Sequence, residues 1–171
     1  MRLEPVSIDL LARAAMDYEK DPETLNYLLR SARRVSAGRE GFALSNKQSQ
    51  ALHFCWVAPF ENFEMAELKR TLHEPGPSSM LLFDCWTPQA QRGRGYYGLT
   101  ISLVAHCLLQ RAQRPWIFSA STNSSSMRGL ERTGAIRSFA LVRRPGLLGA
   151  RISISNSEPR HTPAFDLHPA A

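Results

Sequence analysis

The chain has 171 residues, of which 43% are hydrophobic and 21% charged, a composition that fits a single globular domain with one core. Its apolar runs are too short to cross a bilayer and its N-terminus lacks a cationic start before an apolar stretch, so we expect neither a membrane span nor a signal peptide. The net charge of +6 suits an anionic ligand, although a scattered basic surface would explain it equally well.

The cysteines give information on the redox compartment of the protein and do not indicate a metal site or a disulfide. The three, at positions 55, 85 and 107, show no Cys-x-x-Cys pair and no Cys/His spacing typical of a metal site. Each lies inside an apolar segment, which favours buried free thiols in a reducing environment. We therefore predict a cytoplasmic protein without a bound metal.

The first half of the chain alternates short strands with helices. A strand over 3–6 precedes a helix that Ser7 or Asp9 can cap, and Asp21-Pro22 starts a second helix that ends near Gly38. The polar stretch 46–50 reads as the turn of a hairpin. Segment 61–72 has helical composition. The predicted elements before residue 80 are strands 3–6, 41–45 and 51–57 and helices 7–15, 22–38 and 61–72.

The second half begins with a strand, 80–86, that is too apolar to have one wet face and should lie centrally in a sheet. The elements that follow are a helix over 99–113, a strand over 116–120, a short helix opened by Asn123 and ended by Gly134, a hairpin of 135–143 with 150–155, and a loose tail over 156–171. This order predicts a mixed α/β domain over 1–155 with a largely antiparallel sheet and one parallel βαβ unit.

A glycine-rich loop, QRGRGYYGLT at 91–100, follows the central strand. Gly93, Gly95 and Gly98 spell the dinucleotide pattern G-x-G-x-x-G. That site also needs an acidic residue at the end of the next strand, where the sequence instead has FSASTN at 118–123. Too few residues remain for a second nucleotide-binding half. The loop is therefore not predicted to bind a nicotinamide dinucleotide.

The same loop does suit a phosphate group. A helix that starts in glycines presents unpaired N–H groups and the positive end of its dipole. Gly93 and Gly95 would allow close approach, and Arg92 and Arg94 add positive charge. A merely basic tight turn is the alternative, but two arginines interleaved with two glycines between a strand and a helix favour phosphate binding.

With these motifs, the chain resembles the GNAT superfamily of acyl-CoA-dependent N-acetyltransferases over residues 1–155. The resemblance rests on strand 80–86, Thr87-Pro88, the loop at 92–95, and NSSSMRGLERTG at 123–134. It implies a sheet whose central strands splay apart, with acetyl-CoA or another acyl-CoA lying in the gap. The cofactor-binding residues that it implies are Trp86, Thr87, Arg92, Gly93, Arg94, Gly95, Tyr96, Tyr97, Asn123 and Ser126.

The implied reaction is direct attack of an amine, less often a hydroxyl, on the thioester. The family often uses a tyrosine as the acid seven residues after the asparagine, but Leu130 stands there. The candidates for proton transfer are Asp84 and His53, on neighbouring strands, and the alternation along the strands does not say which face either uses. A purely structural role is open for both. Cys85 is not expected to act as a nucleophile.

The sequence thus predicts a GNAT-type acyltransferase acting on a small-molecule or sugar-like acceptor, with the segment 60–79 shaping the acceptor pocket. A non-catalytic domain that binds acyl-CoA or a partner is the alternative, favoured by the missing tyrosine. Charge alone argues for nucleic acid, and no recognition motif accompanies it, so we expect no nucleic-acid partner. A homodimer remains open.

Overall fold

A computed structural model describes residues 1–66, 68–144, 151–156 and 167–169. The helices are α1 (Ile8–Asp17), α2 (Pro22–Ser36), α3 (Tyr96–Gln110) and α4 (Ser124–Glu131). The strands are β1 (Arg2–Pro5), β2 (Gly41–Ser45), β3 (Ala51–Pro59), β4 (Phe63–Met65), β5 (Arg70–Leu72), β6 (Ser79–Trp86), β7 (Arg114–Ile117), β8 (Phe139–Arg144), β9 (Arg151–Asn156) and β10 (Leu167–Pro169).

The first two helices start where the sequence predicted. The Ser7 side chain accepts from the Leu10 N–H at 3.2 Å, and Asp21 accepts from the Thr24 N–H at 3.0 Å with Pro22 in the first turn. These side chains satisfy N–H groups that a helix start leaves unpaired. Both helices then bury one apolar side against the sheet.

The main sheet has the strand order β1-β2-β3-β6-β7. Its pairs are antiparallel except for β6 and β7, which run parallel. Strand β3 is buried over residues 51–57 because helices cover both faces. Phe54 and Trp56 pack on the side of α1 and α2, whereas Cys55 and Val57 pack on the side of α3, as the two-residue period of a strand requires. The predicted mixed, largely antiparallel sheet is confirmed.

The sheet opens between β6 and β7. Their pairing runs from Ser79 opposite Arg114 to Leu82 opposite Ile117 and stops there. Leu81 and Leu82 are buried, but residues 83–87 are only half-buried. The exposed fraction rises where the neighbouring strand ends, so the last residues of β6 border a gap.

A β-bulge lies at this opening. Phe54 of β3 faces Trp86, and Trp56 faces Phe83, so two residues of β6 lie opposite the single residue Cys55. Asp84 occupies the bulge with a positive φ of 43°, a conformation that is uncommon for a residue with a side chain. A bulge redirects side chains and often accompanies a functional site.

The helix predicted over 61–72 is wrong. That segment is a hairpin of β4 and β5, and β10 adds a third strand beside β5. Phe63 and Met65 are half-buried, Glu64 between them is exposed, and Leu72 is fully buried. This two-residue period places apolar side chains in a cluster with Phe60 and Leu81, and such tertiary burial outweighs helical composition.

The predictions for the C-terminal region agree with the structure only in part. The predicted last hairpin is present as β8 and β9. The tail was predicted to be loose from residue 156, but Leu167–Pro169 pair with β5. The remainder of that tail, residues 157–166 and 170–171, lies outside the described residues, as do the predicted turn residues Pro145 and Gly146. Helix α3 begins at Tyr96, three residues before the predicted start.

Candidate active site

The glycine-rich loop joins the open end of β6 to α3. Gly93 and Gly95 both have φ of 77°, and a Cβ built on either would meet nothing within 4 Å. The backbone conformation therefore requires glycine, and the space above the loop is open. Gly95 is the N-cap residue of α3 and provides no side-chain cap. The N–H groups of the first turn, which have no acceptor within the helix, therefore have no capping side chain either.

The two arginines of the loop lie differently. Arg92 folds back onto β6, with its guanidinium carbon 5.1 Å from the centre of the Trp86 ring and its Nε donating to the Thr87 carbonyl at 3.1 Å. Its Nη2 lies 3.4 Å from a Glu23 carboxylate oxygen, a pair in which both side chains are exposed. Arg94 is exposed. One arginine thus holds the end of β6, and the other stands in solvent beside the helix start.

Thr87 is held a second time by His53. The Thr87 hydroxyl lies 2.7 Å from His53 Nδ1. His53 is 1% exposed, and burial lowers its pKa to about 3, so the imidazole is neutral near pH 7. Its Nε2 is buried and has no hydrogen-bond partner among the described residues. His53 therefore positions Thr87 and lacks the solvent contact that a working base requires.

Tyr97 connects α3 to α4. The Ser126 hydroxyl donates to the Tyr97 hydroxyl at 2.8 Å. A Cβ on Gly129 would lie 2.6 Å from the Tyr97 ring, and a Cβ on Gly98 would lie 3.1 Å from the Gly129 carbonyl oxygen. The two glycines let the helices meet across the tyrosine ring. Burial raises the pKa of Tyr97 well above its usual value, against the opposing effect of the Ser126 hydrogen bond.

Asn123 caps α4. Its side-chain oxygen accepts from the Ser126 N–H at 3.1 Å and from the Ser125 hydroxyl at 2.9 Å. Asn123 itself is exposed. The cap therefore fixes the turn that presents Ser126 to Tyr97.

Asp84 lies on the other face of the sheet. Its carboxylate forms an ion pair with Arg34 of α2, and the two side chains are 28% and 27% exposed. The Arg34 guanidinium also lies 5.3 Å from the centres of the Trp56 and Phe83 rings. The Asp84 carbonyl accepts from the Tyr27 hydroxyl at 3.0 Å. The bulge thus turns Asp84 toward α2, beside its neighbour Phe83.

The two predicted proton-transfer candidates are therefore separated by the sheet. His53 points to α3, since its ring meets the Tyr97 ring edge-on at 5.7 Å, whereas Asp84 points to α2. They cannot act as a pair. The sequence reasoning missed Arg34, although a signal was present: Tyr27, Ser31 and Arg34 recur at helical spacing on the buried side of α2.

Two of the three cysteines lie in contact. Cys55 is buried and Cys85 half-buried, with their sulfurs 3.5 Å apart. The hydrogen bond from Cys85, together with burial, raises the pKa of the Cys55 thiol. A buried thiol with a raised pKa, such as that of Cys55, is a poor nucleophile. Within the described ranges, no group of three or more His, Cys, Asp or Glu side chains could hold a metal ion, and no helix is long and apolar enough to span a bilayer.

Solved structures share this architecture. An aminoglycoside 6′-N-acetyltransferase from Acinetobacter haemolyticus is 14% identical with a TM-score of 0.57, over 85% of this chain and 98% of that one. A GNAT superfamily phosphinothricin acetyltransferase from Sinorhizobium meliloti, solved with acetyl-CoA, is 11% identical with a TM-score of 0.52, over 99% and 96%. The Salmonella typhimurium protein YncA, solved with its cofactor acetyl-CoA, is 12% identical with a TM-score of 0.50, over 95% and 98%.

The fold is that of the GNAT acetyltransferases. No family model and no curated protein matches the sequence. In this GNAT fold, position 130 on α4 is the place where the resemblance implies a tyrosine acid. Leu130 instead packs against the apolar cluster between the sheet and α3.

Proposed function

We propose that this protein transfers an acyl group, most simply acetyl, from acyl-CoA to the amine of a small-molecule acceptor. The observation that carries the proposal is that the opened β6 edge at residues 83–87 is joined, through the glycine-rich loop, to the start of α3 after Gly95, which has no side-chain cap. We call this course of the chain the path. An extended, phosphate-bearing thioester fits such a path. Its amide-containing arm needs backbone hydrogen-bond partners, which the β6 edge provides, and its phosphates need N–H groups, which the start of α3 provides.

The residues of the path suit acyl-CoA. The proposed cofactor-binding set keeps the predicted residues: Trp86, Thr87, Arg92, Gly93, Arg94, Gly95, Tyr96, Tyr97, Asn123 and Ser126. The bound cofactor supplies a thioester carbonyl and a thiolate leaving group. The Thr87 carbonyl accepts one hydrogen bond from Arg92 and can accept a second from the cofactor. Support for the phosphate end comes from the glycines, the helix start and Arg94.

For proton transfer we assign the base to Asp84. It is a partly exposed carboxylate at the bulge beside the gap, so it can reach an incoming amine. His53 is the weaker candidate, because burial leaves it neutral and without solvent contact. We assign it the role of positioning Thr87.

The leaving thiolate has a hydrogen-bond donor in Tyr97. Because the Tyr97 hydroxyl accepts from Ser126, its own proton remains available. A phenol with a raised pKa does not readily give that proton to a thiolate, whose acid has a pKa of about 8.5. Tyr97 would thus stabilise the thiolate by hydrogen bonding, and solvent would protonate it. This accounts for catalysis without a tyrosine at position 130.

The cytoplasmic location is part of the same proposal. The three cysteines are all unpaired thiols, and two of them lie at a sulfur–sulfur distance of 3.5 Å without a bond. Thiols held this close stay reduced in a reducing compartment.

Acetyl-CoA binding tests the phosphate end. Isothermal titration should give saturable binding, and Arg94→Glu should raise the Kd about 10- to 100-fold, since a charged hydrogen bond contributes ~1.5–3 kcal/mol. Arg13→Glu is the matched control, because Arg13 is exposed on α1 and the charge change is the same. Absence of binding, or equal loss in both variants, would show that the loop is not a phosphate site.

A non-catalytic acyl-CoA-binding domain is the second candidate. The apolar packing of Leu130 at the usual acid position favours it. Thiol release measured with a broad amine panel separates the two functions: tight acetyl-CoA binding without amine-dependent release supports the binding domain.

A further inference from the structure

Two phenylalanines flank the point where β6 and β7 part. Leu82 and Ile117 are the last paired residues, and both pack on the α3 side. The next residues, Phe83 and Phe118, therefore belong to the opposite face, and both join the apolar cluster on that side. Each is only half-buried, so both rings border the gap on the face where Asp84 lies.

Further rings extend this surface. Phe63 of β4 lies 5.1 Å from Phe83 between ring centres, and Phe139 of β8 lies 5.7 Å from Phe118. Phe60 lies 5.9 Å from Phe118. Elements distant in the sequence thus converge to make one aromatic wall, which we define as Phe63, Phe83, Phe118 and Phe139.

The ion pair of Arg34 and Asp84 stands at one end of the wall. Arg34 lies over Phe83 at 5.3 Å and pairs with Asp84, and each of these two side chains is about one quarter exposed. A ligand here would meet apolar rings along most of its length and, at one end, an ion pair without net charge. The amine itself follows from the proposed function, and the partly exposed Asp84 carboxylate can accept one of its hydrogen bonds beside Arg34.

We infer that the aromatic wall is the acceptor subsite and that the acceptor is a primary amine carried on an aryl group. This rests on the proposed function. Aryl rings stack well on phenylalanine faces and edges and remove apolar surface from water. A sugar-like acceptor could place only its smaller C–H face on the rings, and its rim hydroxyl groups would need hydrogen-bond partners that phenylalanine side chains do not provide. The wall therefore selects against the polyhydroxylated class.

The protons and bonds of the acyl transfer can be followed from the acceptor amine and the thioester to the products. Asp84 takes a proton from the acceptor ammonium, and the neutral nitrogen attacks the thioester carbonyl carbon. A C–N bond forms and the C–S bond breaks, with its electron pair leaving on sulfur. The nitrogen loses a second proton to solvent, and the thiolate gains one, so the products are an amide, the CoA thiol and one proton.

An acceptor panel tests the inference on the full chain with acetyl-CoA. We expect kcat/KM for 2-phenylethylamine and tryptamine to exceed that for n-butylamine at least tenfold, and to exceed that for kanamycin by more. Equal or better turnover of n-butylamine or kanamycin would overturn the aryl assignment while leaving acyl transfer intact. Acetyl-CoA binding with no turnover of any amine would instead overturn the proposed function, and the inference with it.

A variant pair locates the preference. Phe118 lies in a segment after β7 without regular structure but packs against Phe60 and Phe139. Phe118→Ala will therefore lower the stability, and turnover of n-butylamine serves as the measure of folded enzyme. The variant should lower kcat/KM for 2-phenylethylamine about tenfold, mainly through KM, and leave the n-butylamine value within twofold. Leu109→Ala, at an apolar position 60% exposed on α3, should change neither. An equal loss for both amines in Phe118→Ala would contradict the subsite.

Discussion

The two faces of the sheet around the bulge of β6 carry different kinds of interaction. On the α3 side, neutral polar groups hold one another: His53 with Thr87, and Ser126 with Tyr97, in contacts of 2.7 and 2.8 Å. On the α2 side, a charged pair and aromatic rings stand partly in solvent. The first face is suited to fixing a backbone for an extended ligand, and the second to receiving a small molecule that carries its own charge.

The difference follows from burial. A neutral hydrogen bond can be closed off from water at little cost once both partners are satisfied. An ion pair is more costly to bury, so it is retained where water still reaches it. The α3 face can thus be rigid, whereas the α2 face keeps a charge accessible to an acceptor. Variants on one face should therefore leave the function of the other face largely unchanged.

The largest effect should come from filling the contact between α3 and α4. Gly129→Val places a Cβ about 2.6 Å from the Tyr97 ring, which Ser126 holds in place. Overpacking of this kind costs about 2–3 kcal/mol. Urea unfolding should show that loss, with a weaker affinity for acetyl-CoA.

Gly76→Val is the matched control, because a Cβ there meets only the Nη1 of Arg114 at 3.4 Å, a side-chain end that can move. It should cost less than 1 kcal/mol by the same measurement. Similar losses for the two variants would mean that the helices adjust freely and that the α3 face is less rigid than we argue.

Local rules explain which parts of this fold the sequence could predict. The caps at Ser7 and Asp21 and the glycine-rich start of α3 each depend on a few neighbouring residues, and all lie close to where they were predicted. The segment 61–72 was predicted wrongly because its strands are stabilised by partners distant in sequence, such as Leu81, Phe118 and Phe139. A composition-based prediction does not contain those contacts.

The bulge explains why the site was only half predictable. Facing directions can be counted along a regular strand, but the extra residue in β6 breaks the count between Phe83 and Trp86. The orientation of Asp84 therefore could not be derived, nor could its pairing with Arg34, fifty positions away. The glycine-rich loop proposed to bind phosphate, by contrast, is contiguous in sequence. The proposed acceptor subsite combines residues of separate elements, and their proximity was visible only in the structure.

A second prediction uses pH to probe the α3 face. His53 has a pKa of about 3 when folded against about 6.5 unfolded. Below pH 6.5 the unfolded chain therefore binds a proton that the folded protein cannot bind, so the free energy of unfolding falls as pH falls toward 3. Between pH 7.5 and 5 the loss from this residue is about 2 kcal/mol.

Urea unfolding at those two pH values measures the loss, and His53→Gln should remove it. His106→Gln is the control, since His106 is exposed on α3, and it should retain the full pH dependence. A His53→Gln protein with the same pH dependence as the parent would show that the imidazole is not held neutral in the fold.

The smallest effect should come from the α2 face, where solvent already weakens the charged pair. Arg34→Met keeps an apolar side chain over Trp56 and Phe83 but leaves Asp84 without its partner. Because the carboxylate is 28% exposed, water can replace part of the interaction, and we expect the free energy of unfolding to fall by about 1 kcal/mol.

Asp84→Asn alone should lower the free energy of unfolding by a similar amount. The double variant should lose no more than either single variant, which a double-mutant cycle detects as coupling. The acetyl-CoA Kd of Arg34→Met should match that of the parent, because the side-chain contacts described for Arg34 are with Asp84, Trp56 and Phe83 and not with the glycine-rich loop or Thr87. Additive losses would mean that the ion pair does not stabilise the bulge, and a weakened acetyl-CoA affinity would mean that the two faces are coupled through β6.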